Sequence, residues 1–256
     1  MFHNVIVKTP CPSICEGITS APELGKPIYE KALQQHARYI EALRQCGVEV
    51  TILPADDRYP DSCFVEDVAV LTRKCAVVTN PGAPSRNGET AAIVPVLERF
   101  YPKEDIHFIR EPGTLEGGDV MMVGDTFYVG LSARTNAEGI AQFAAILHRY
   151  GFACEQVPLE KVLHLKTGVN YLENGNLLVS GEFTDKPCFQ GYHRVQIPEA
   201  EAYAANCIWV NGTVIVPEGY PAVKAAVEGL GYPVLTVDTS EFRKIDGGLS
   251  CLSLRF

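Results

Sequence analysis

A chain of 256 residues with a formal net charge of −9 is poorly suited to nucleic acid or an anionic membrane surface, both of which reward an excess of Lys and Arg. Its 46% hydrophobic and 21% charged content excludes a disordered protein, and at this length enough surface is buried that no covalent staples are needed. Nine cysteines form no CxxC pair and are odd in number, a poor pattern for a disulfide framework or a structural zinc site.

The first residues, MFHNVIVKTPCPS, lack the basic-then-apolar order of a signal peptide, and no apolar run approaches the roughly 20 residues that cross a bilayer. A cytoplasmic protein with reduced thiols is expected. VIVKTP reads as a strand. From Lys26 to Cys46, Ile28, Leu33, Ile40 and Leu43 recur at helical spacing, Gly47 is a stop, and VEVTIL follows as a strand. Then come FVEDVAVLTRKCAVVTNP and LEGGDVMMVGDTFYVGLS, each a strand, a turn and a second strand. A helix from Asn136 to Tyr150 is predicted next, with Ile140, Phe143, Ala144 and Leu147 on one stripe, followed by Gly151 and the strand FACEQV. HLKTGVNYLENGNLLVSG and NCIWVNGTVIVPEG repeat the pattern with Asn-Gly turns. GEFTDKPCFQGYHRV, after the third passage, is too short and awkward for a full helix. A helix from about Tyr220 to Leu230, then Gly231 and YPVLTV, completes the fourth.

The fifth passage, DGGLSCLSLRF, reaches Phe256 after two short strands, and the N-terminal strand and helix are expected to supply the remainder. A spacing of about 40 to 50 residues marks internal repetition. The reading is α/β, one catalytic domain over 1–256 built of five ββαβ-type repeats, with a closed five-fold propeller favoured over an open α/β sandwich. Closure removes sheet edges and turns equivalent strand starts toward a central channel.

Three repeat starts carry polar residues where a buried strand should be apolar: DSCFVED at 61–67, LEGGD at 115–119 and DGGLSC at 246–251. In a closed ring, Asp61, Glu66, Asp67, Glu116, Asp119 and Asp246 would line one pocket with His164. Carboxylates so arranged call for a cation. A metal is disfavoured, because His164 is the only imidazole at a repeat start and no HxH or HExxH spacing exists. A guanidinium matches carboxylates in bidentate fashion. The plainer reading, turn residues and strand-end caps, stays open for each of them and is strongest for Asp119. Cys251 follows a Gly-Gly turn; it is either a small buried hydrophobe or, if His164 and a carboxylate such as Glu116 reach it, a nucleophile.

These segments carry a resemblance. CEGIT at 15–19, PDSCFVEDVAV at 60–70, NPGAPSRNGE at 80–89, LEGGDV at 115–120, GLSARTN at 130–136, the His164 segment and IDGGLSCLSLRF at 245–256 together resemble the dimethylarginine dimethylaminohydrolases of the guanidino-group-modifying (pentein) superfamily. The resemblance spans almost the whole chain and implies a five-fold propeller of ββαβ units around an axial site. It implies Cys251 as nucleophile, His164 as general acid/base and Glu116 as its carboxylate partner. It assigns Asp67 and Glu66 to the substrate guanidinium, Asp61 to its polar end, and Arg86 and Arg134 to its α-carboxylate. Ile18 and Ile245 would touch it through their carbonyls, with Asp246 beside them. Cys63 and Ile18 depart from the small apolar residue and the Leu common at these positions, which leaves substrate size open. The implied activity is cofactor-free, metal-free hydrolysis of an N-methylated arginine to citrulline, with a small guanidino amino acid as partner and a homodimer left open. An arginine deiminase, an amidinotransferase and a non-catalytic amino-acid-binding protein are the alternatives.

Overall fold

A computed structural model describes residues 1–256. Fifteen strands fall into five three-stranded sheets of one plan. In each, a short first strand lies antiparallel to a middle strand, which lies parallel to a third. A parallel neighbour cannot be reached by a tight turn, so each middle strand is followed by a crossover.

The chain divides into two compact units, 66–167 and the remainder. Unit 66–167 holds two sheets. Ala69–Leu71, Ala76–Val78 and Ile106–Phe108 form one, with the helix Thr90–Leu97 as crossover. Val120–Val123, Thr126–Leu131 and Ala153–Pro158 form the other, with the helix Ala137–Arg149. Asn136 starts that helix, its side-chain oxygen accepting from Gly139 N at 2.8 Å and Thr114 N at 3.0 Å. The helix buries Ile140, Phe143 and Leu147 against Phe127 and Phe152, and the Phe127 ring meets Phe143 and Phe152 edge to face at 5.8 and 5.4 Å.

The other unit holds three sheets. Leu254–Arg255 pairs antiparallel with Asn4–Lys8, which pairs parallel with Glu49–Leu53, so the incomplete last repeat is finished by the N-terminal strand as the sequence predicts. Its crossover helix, Tyr29–Gln45, stops where Gly47 turns to φ +78°, a conformation that costs a side-chain-bearing residue dearly. Ile208–Val210, Thr213–Pro217 and Val234–Val237 use the helix Pro221–Gly229. Between Asn176–Val179 and His193–Gln196 the crossover is two short 3-10 turns, Gly181–Phe183 and Pro187–Phe189, the segment judged too awkward for a helix.

The helix Thr90–Leu97 is the element the sequence hid. Pro95 lies inside it and a 3-10 stretch, Pro84–Glu89, leads into it, so neither a clean period nor a cap marks its start. No helix is long and apolar enough to cross a membrane.

Candidate active site

A 3-10 turn precedes the first strand of every sheet, and four of these turns carry or adjoin residues expected at the site. Val65–Val68 presents Glu66 and Asp67. Gly117–Asp119 begins just after Glu116 and ends on Asp119. Leu165–Thr167 follows His164, and Ser250–Leu252 contains Cys251. The repeat therefore delivers polar side chains at equivalent places in different sheets, which is why short polar motifs recur at the repeat starts.

Unit 66–167 brings five of the expected residues together. His164 Nε2 lies 2.6 Å from Glu116 Oε2, and the other Glu116 oxygen accepts from Ala83 N at 3.1 Å and lies 3.6 Å from Arg134 Nη1. Asp67 accepts from Gly118 N at 2.9 Å and from Arg86 Nη1 at 2.6 Å. Burial alone would drive the His164 imidazolium to lose its proton. The Glu116 hydrogen bond and the charges of Asp67, Asp119 and Glu116 outweigh it, and the pKa is pushed up to about 9. Burial likewise opposes the Asp67 carboxylate, but Arg86, His164 and the Gly118 N–H hold its pKa below the ordinary value.

Both glycines of LEGGD are required by close approach. A Cβ on Gly117 would sit 2.0 Å from the Glu66 carbonyl oxygen, and one on Gly118 would sit 2.8 Å from His164 Nδ1. Gly118→Ala is therefore expected to displace the imidazole and lower kcat about 100-fold, the scale of a misplacement near 1 Å. Steady-state kinetics beside a thermal melt checks this; unchanged kcat would show that the imidazole has slack.

Two expected substrate ligands have partners of their own. Arg86 is buried, its guanidinium bidentate to Glu89 at 3.0 and 2.9 Å and bonded to Asp67. A substrate carboxylate reaching it would have to share donors already engaged by two carboxylates. Glu66 forms a buried ion pair with Lys166. Glu89 and Lys166 were not foreseen; the signal for Glu89 was its spacing three residues after Arg86, which only a helical turn makes meaningful. Arg134 is more open, with 19% of its side chain exposed.

The other unit gathers the rest. Cys251 Sγ accepts from Gly248 N at 3.4 Å, and Asn206 Oδ1 accepts from Ser250 N at 2.8 Å. Tyr203 donates its hydroxyl hydrogen to the Gly247 carbonyl at 2.9 Å, so two side chains from the fourth repeat brace the turn that carries the sulfur. Neither Asn206 nor Tyr203 was foreseen, because both act through the backbone. Asp61 accepts from Ile18 N at 3.0 Å. Asp246, at φ +60°, accepts from Ser20 N at 2.6 Å and Ser20 Oγ at 2.9 Å. Ile245 is buried and its Cδ1 packs beside Gly17. The segment 17–20 is thus tied down at both ends by two of the expected site carboxylates.

Donor atoms of Asp67, Glu116 and His164 all lie within 4.8 Å of one another, close enough to ligate a cation. Two of those groups are already bonded to each other, and the third is bonded to the permanent charge of Arg86, which opposes a dication. The residues suit an internal ion-pair network better than a metal centre.

Five repeats of this plan, with Cys, His and acidic residues at their starts, define an α/β propeller of the pentein class. A family model described as N,N dimethylarginine dimethylhydrolase, eukaryotic, matches residues 21–182. The N(G),N(G)-dimethylarginine dimethylaminohydrolase of Pseudomonas aeruginosa is 57% identical over 256 residues, covering all of both chains. A solved structure of the dimethylarginine dimethylaminohydrolase from Pseudomonas aeruginosa, a cysteine-to-serine mutant complexed with citrulline, matches with a TM-score of 0.98 at 57% identity over all of both chains. So does a histidine-to-glycine dimethylarginine dimethylaminohydrolase in adduct with S-methyl-L-thiocitrulline, again with a TM-score of 0.98, 57% identity and full coverage of both chains. The chain belongs to the dimethylarginine dimethylaminohydrolase family, hydrolases of guanidino C–N bonds.

Proposed function

We propose that this protein, as one catalytic domain without a cofactor, hydrolyses N-ω-methylated arginine to citrulline and methylamine or dimethylamine. The observation that carries the reading is the buried His164–Glu116 pair, whose imidazolium persists to about pH 9 and is therefore a proton donor at neutral pH. Family membership supports it. So does a coincidence of spacing: the cysteine and histidine altered in the two solved relatives have the same separation in sequence as Cys251 and His164.

The Cys251 sulfur adds as thiolate to the guanidinium carbon, and the tetrahedral adduct collapses as the C–N bond to the methylated nitrogen breaks. His164 donates its proton to that nitrogen, so a neutral amine leaves and an S-alkylthiouronium remains. The neutral imidazole then takes a proton from water, whose oxygen attacks the same carbon. The C–S bond breaks with loss of the remaining hydroxyl proton to solvent or to the departed amine, and citrulline and the thiolate are released. Glu116 holds the imidazole and its charge throughout. Asp67 and Glu66 are assigned to the guanidinium, Asp61 to the substrate's polar end, the Ile18 and Ile245 carbonyls to the α-amino group and the guanidinium end, Asp246 to the substrate beside them, and Arg134 with Arg86 to the α-carboxylate.

Steady-state citrulline formation from asymmetric dimethylarginine and from arginine tests this reading, with dimethylarginine expected to be preferred in kcat/KM. A clear preference for arginine would overturn it in favour of a deiminase. Arg134→Ala is expected to raise KM at least about tenfold for the free amino acid while sparing kcat, the loss of one charge-assisted contact. Arg86→Ala should also lower stability, because it takes the guanidinium away from two buried carboxylates, Asp67 and Glu89. Equal KM effects on a substrate without an α-carboxylate would show that Arg134 serves the fold alone.

A further inference from the structure

Asp119 is the most completely buried carboxylate of the unit, at 0% exposure, and the mechanism above gives it no task. Burial raises the Asp119 pKa above the ordinary carboxylate value, and the His164 charge and the hydrogen bonds from Ser132, Thr135 and Leu165 N work against that rise. One of its oxygens accepts from Leu165 N, the amide directly after His164, at 2.9 Å. The other accepts from Ser132 Oγ at 2.7 Å. That hydroxyl oxygen in turn accepts from Arg134 N at 3.0 Å and Thr135 N at 3.1 Å, and Thr135 Oγ1 accepts from Glu116 N at 3.1 Å. The strand opposite leaves no slack, since a Cβ on Gly130 would lie 2.7 Å from the Asp119 carboxylate.

We propose that Asp119 is a positioning residue for the reaction: with Ser132 and Thr135 it forms a buried hub that fixes the backbone at His164, Glu116 and Arg134 together. Three side chains with different tasks, proton transfer, orientation of the imidazole and grip on the substrate, hang from one carboxylate. The hub also places a negative charge near the imidazole, so it contributes to the charge state of His164 as well as to its place. Serine at 132 is required as a relay, because only a hydroxyl can donate to a carboxylate while accepting from two amides.

The proposal rests on the functional reading for His164, and its test is read in two independent ways. The imidazole resonances of His164, titrated by NMR, need no turnover; steady-state kinetics on asymmetric dimethylarginine does. Asp119→Asn keeps the shape and removes the charge. It is expected to lower the His164 pKa by about one pH unit and kcat by about tenfold or more. Ser132→Ala leaves the charge and cuts the relay, so it should raise KM and lower kcat/KM about tenfold with the His164 titration nearly in place. A folded Asp119→Asn protein with an unmoved His164 titration and kcat within about twofold would overturn the proposal. If that variant fails to fold, Ser132→Ala decides alone, and unchanged kcat/KM overturns it. A wild-type protein inactive on dimethylarginine would instead refute the functional reading, while the Asp119→Asn titration would still judge the hub.

Discussion

Cys251→Ser is expected to reduce turnover by about 10⁴-fold or more while leaving the fold intact. Serine replaces a sulfur by an oxygen of similar shape but far higher pKa, so the nucleophile is lost and the side chain still fits. The sulfur accepts from the Gly248 amide at 3.4 Å, a bond that a serine oxygen can also accept. The tail is held by other groups: Tyr39 Oη donates to the Leu249 carbonyl at 2.9 Å, and Arg255 bonds the Ser253 carbonyl at 3.2 Å. Four of the other cysteines offer poor competition. Burial raises the thiol pKa of Cys46 and Cys75 and pushes Cys154 up to about 11 and Cys207 to about 12. Mass spectrometry after exposure to a haloacetamidine should therefore find one labelled cysteine, Cys251, and none in the serine variant. Full activity in Cys251→Ser, or labelling at Cys63 instead, would move the nucleophile elsewhere.

Glu116→Gln should change both the rate and its dependence on pH. In the wild type, His164 carries its proton up to about pH 9, so activity that requires imidazolium falls only above that value. Replacing Glu116 removes one negative charge and the acceptor at 2.6 Å, and the amide can present oxygen to the ring only by turning its NH₂ toward the Ala83 N–H. The alkaline limb should move down toward the ordinary histidine value of 6.5, and kcat/KM at neutral pH should fall about 100- to 1,000-fold. A profile with its alkaline limb still near 9 would show that Glu116 does not govern the proton.

The same shift is a statement about stability. A histidine whose folded pKa lies above its unfolded one stabilises the fold fully below about 6.5, and that contribution is lost as pH rises through about 9. For His164 the difference corresponds to about 3 kcal/mol. Denaturant midpoints of wild type and Glu116→Gln should thus lie apart at acid and neutral pH and approach one another above pH 9. Asp67 works in the opposite sense. Its lowered pKa stabilises the fold above the ordinary carboxylate range, and the contribution fades as pH falls through the lowered value.

What the sequence made legible follows from what leaves a pattern. The helices Tyr29–Gln45, Ala137–Arg149 and Pro221–Gly229 each bury one stripe and end near a glycine, so period and punctuation agreed to within a few residues. Thr90–Leu97, apolar on most sides and interrupted by Pro95, left no period to read. Glu116, His164 and Asp67 stood out because polar residues at strand starts demand a reason, whereas Arg134, in the loop after Thr126–Leu131, was singled out only by the family resemblance. Asp119 was visible too, but its bonds go to a backbone amide and a serine, which no spacing rule announces. Lys166 and Glu89 act as counter-charges to Glu66 and Arg86, and pairing across a fold is set by packing rather than by local order.

The pairing of Leu254–Arg255 with Asn4–Lys8 has a kinetic consequence. The strand next to the Cys251 sulfur, the proposed nucleophile, finds its neighbour across almost the whole chain, so loop closure opposes it strongly and it should be among the last contacts to form. Partly folded molecules would then carry Cys251 on a loose tail without its braced turn, as an ordinary unactivated thiol. Reactivity toward amidine electrophiles would arrive only with the final docking event, which makes the rate of labelling a clock for the completion of folding.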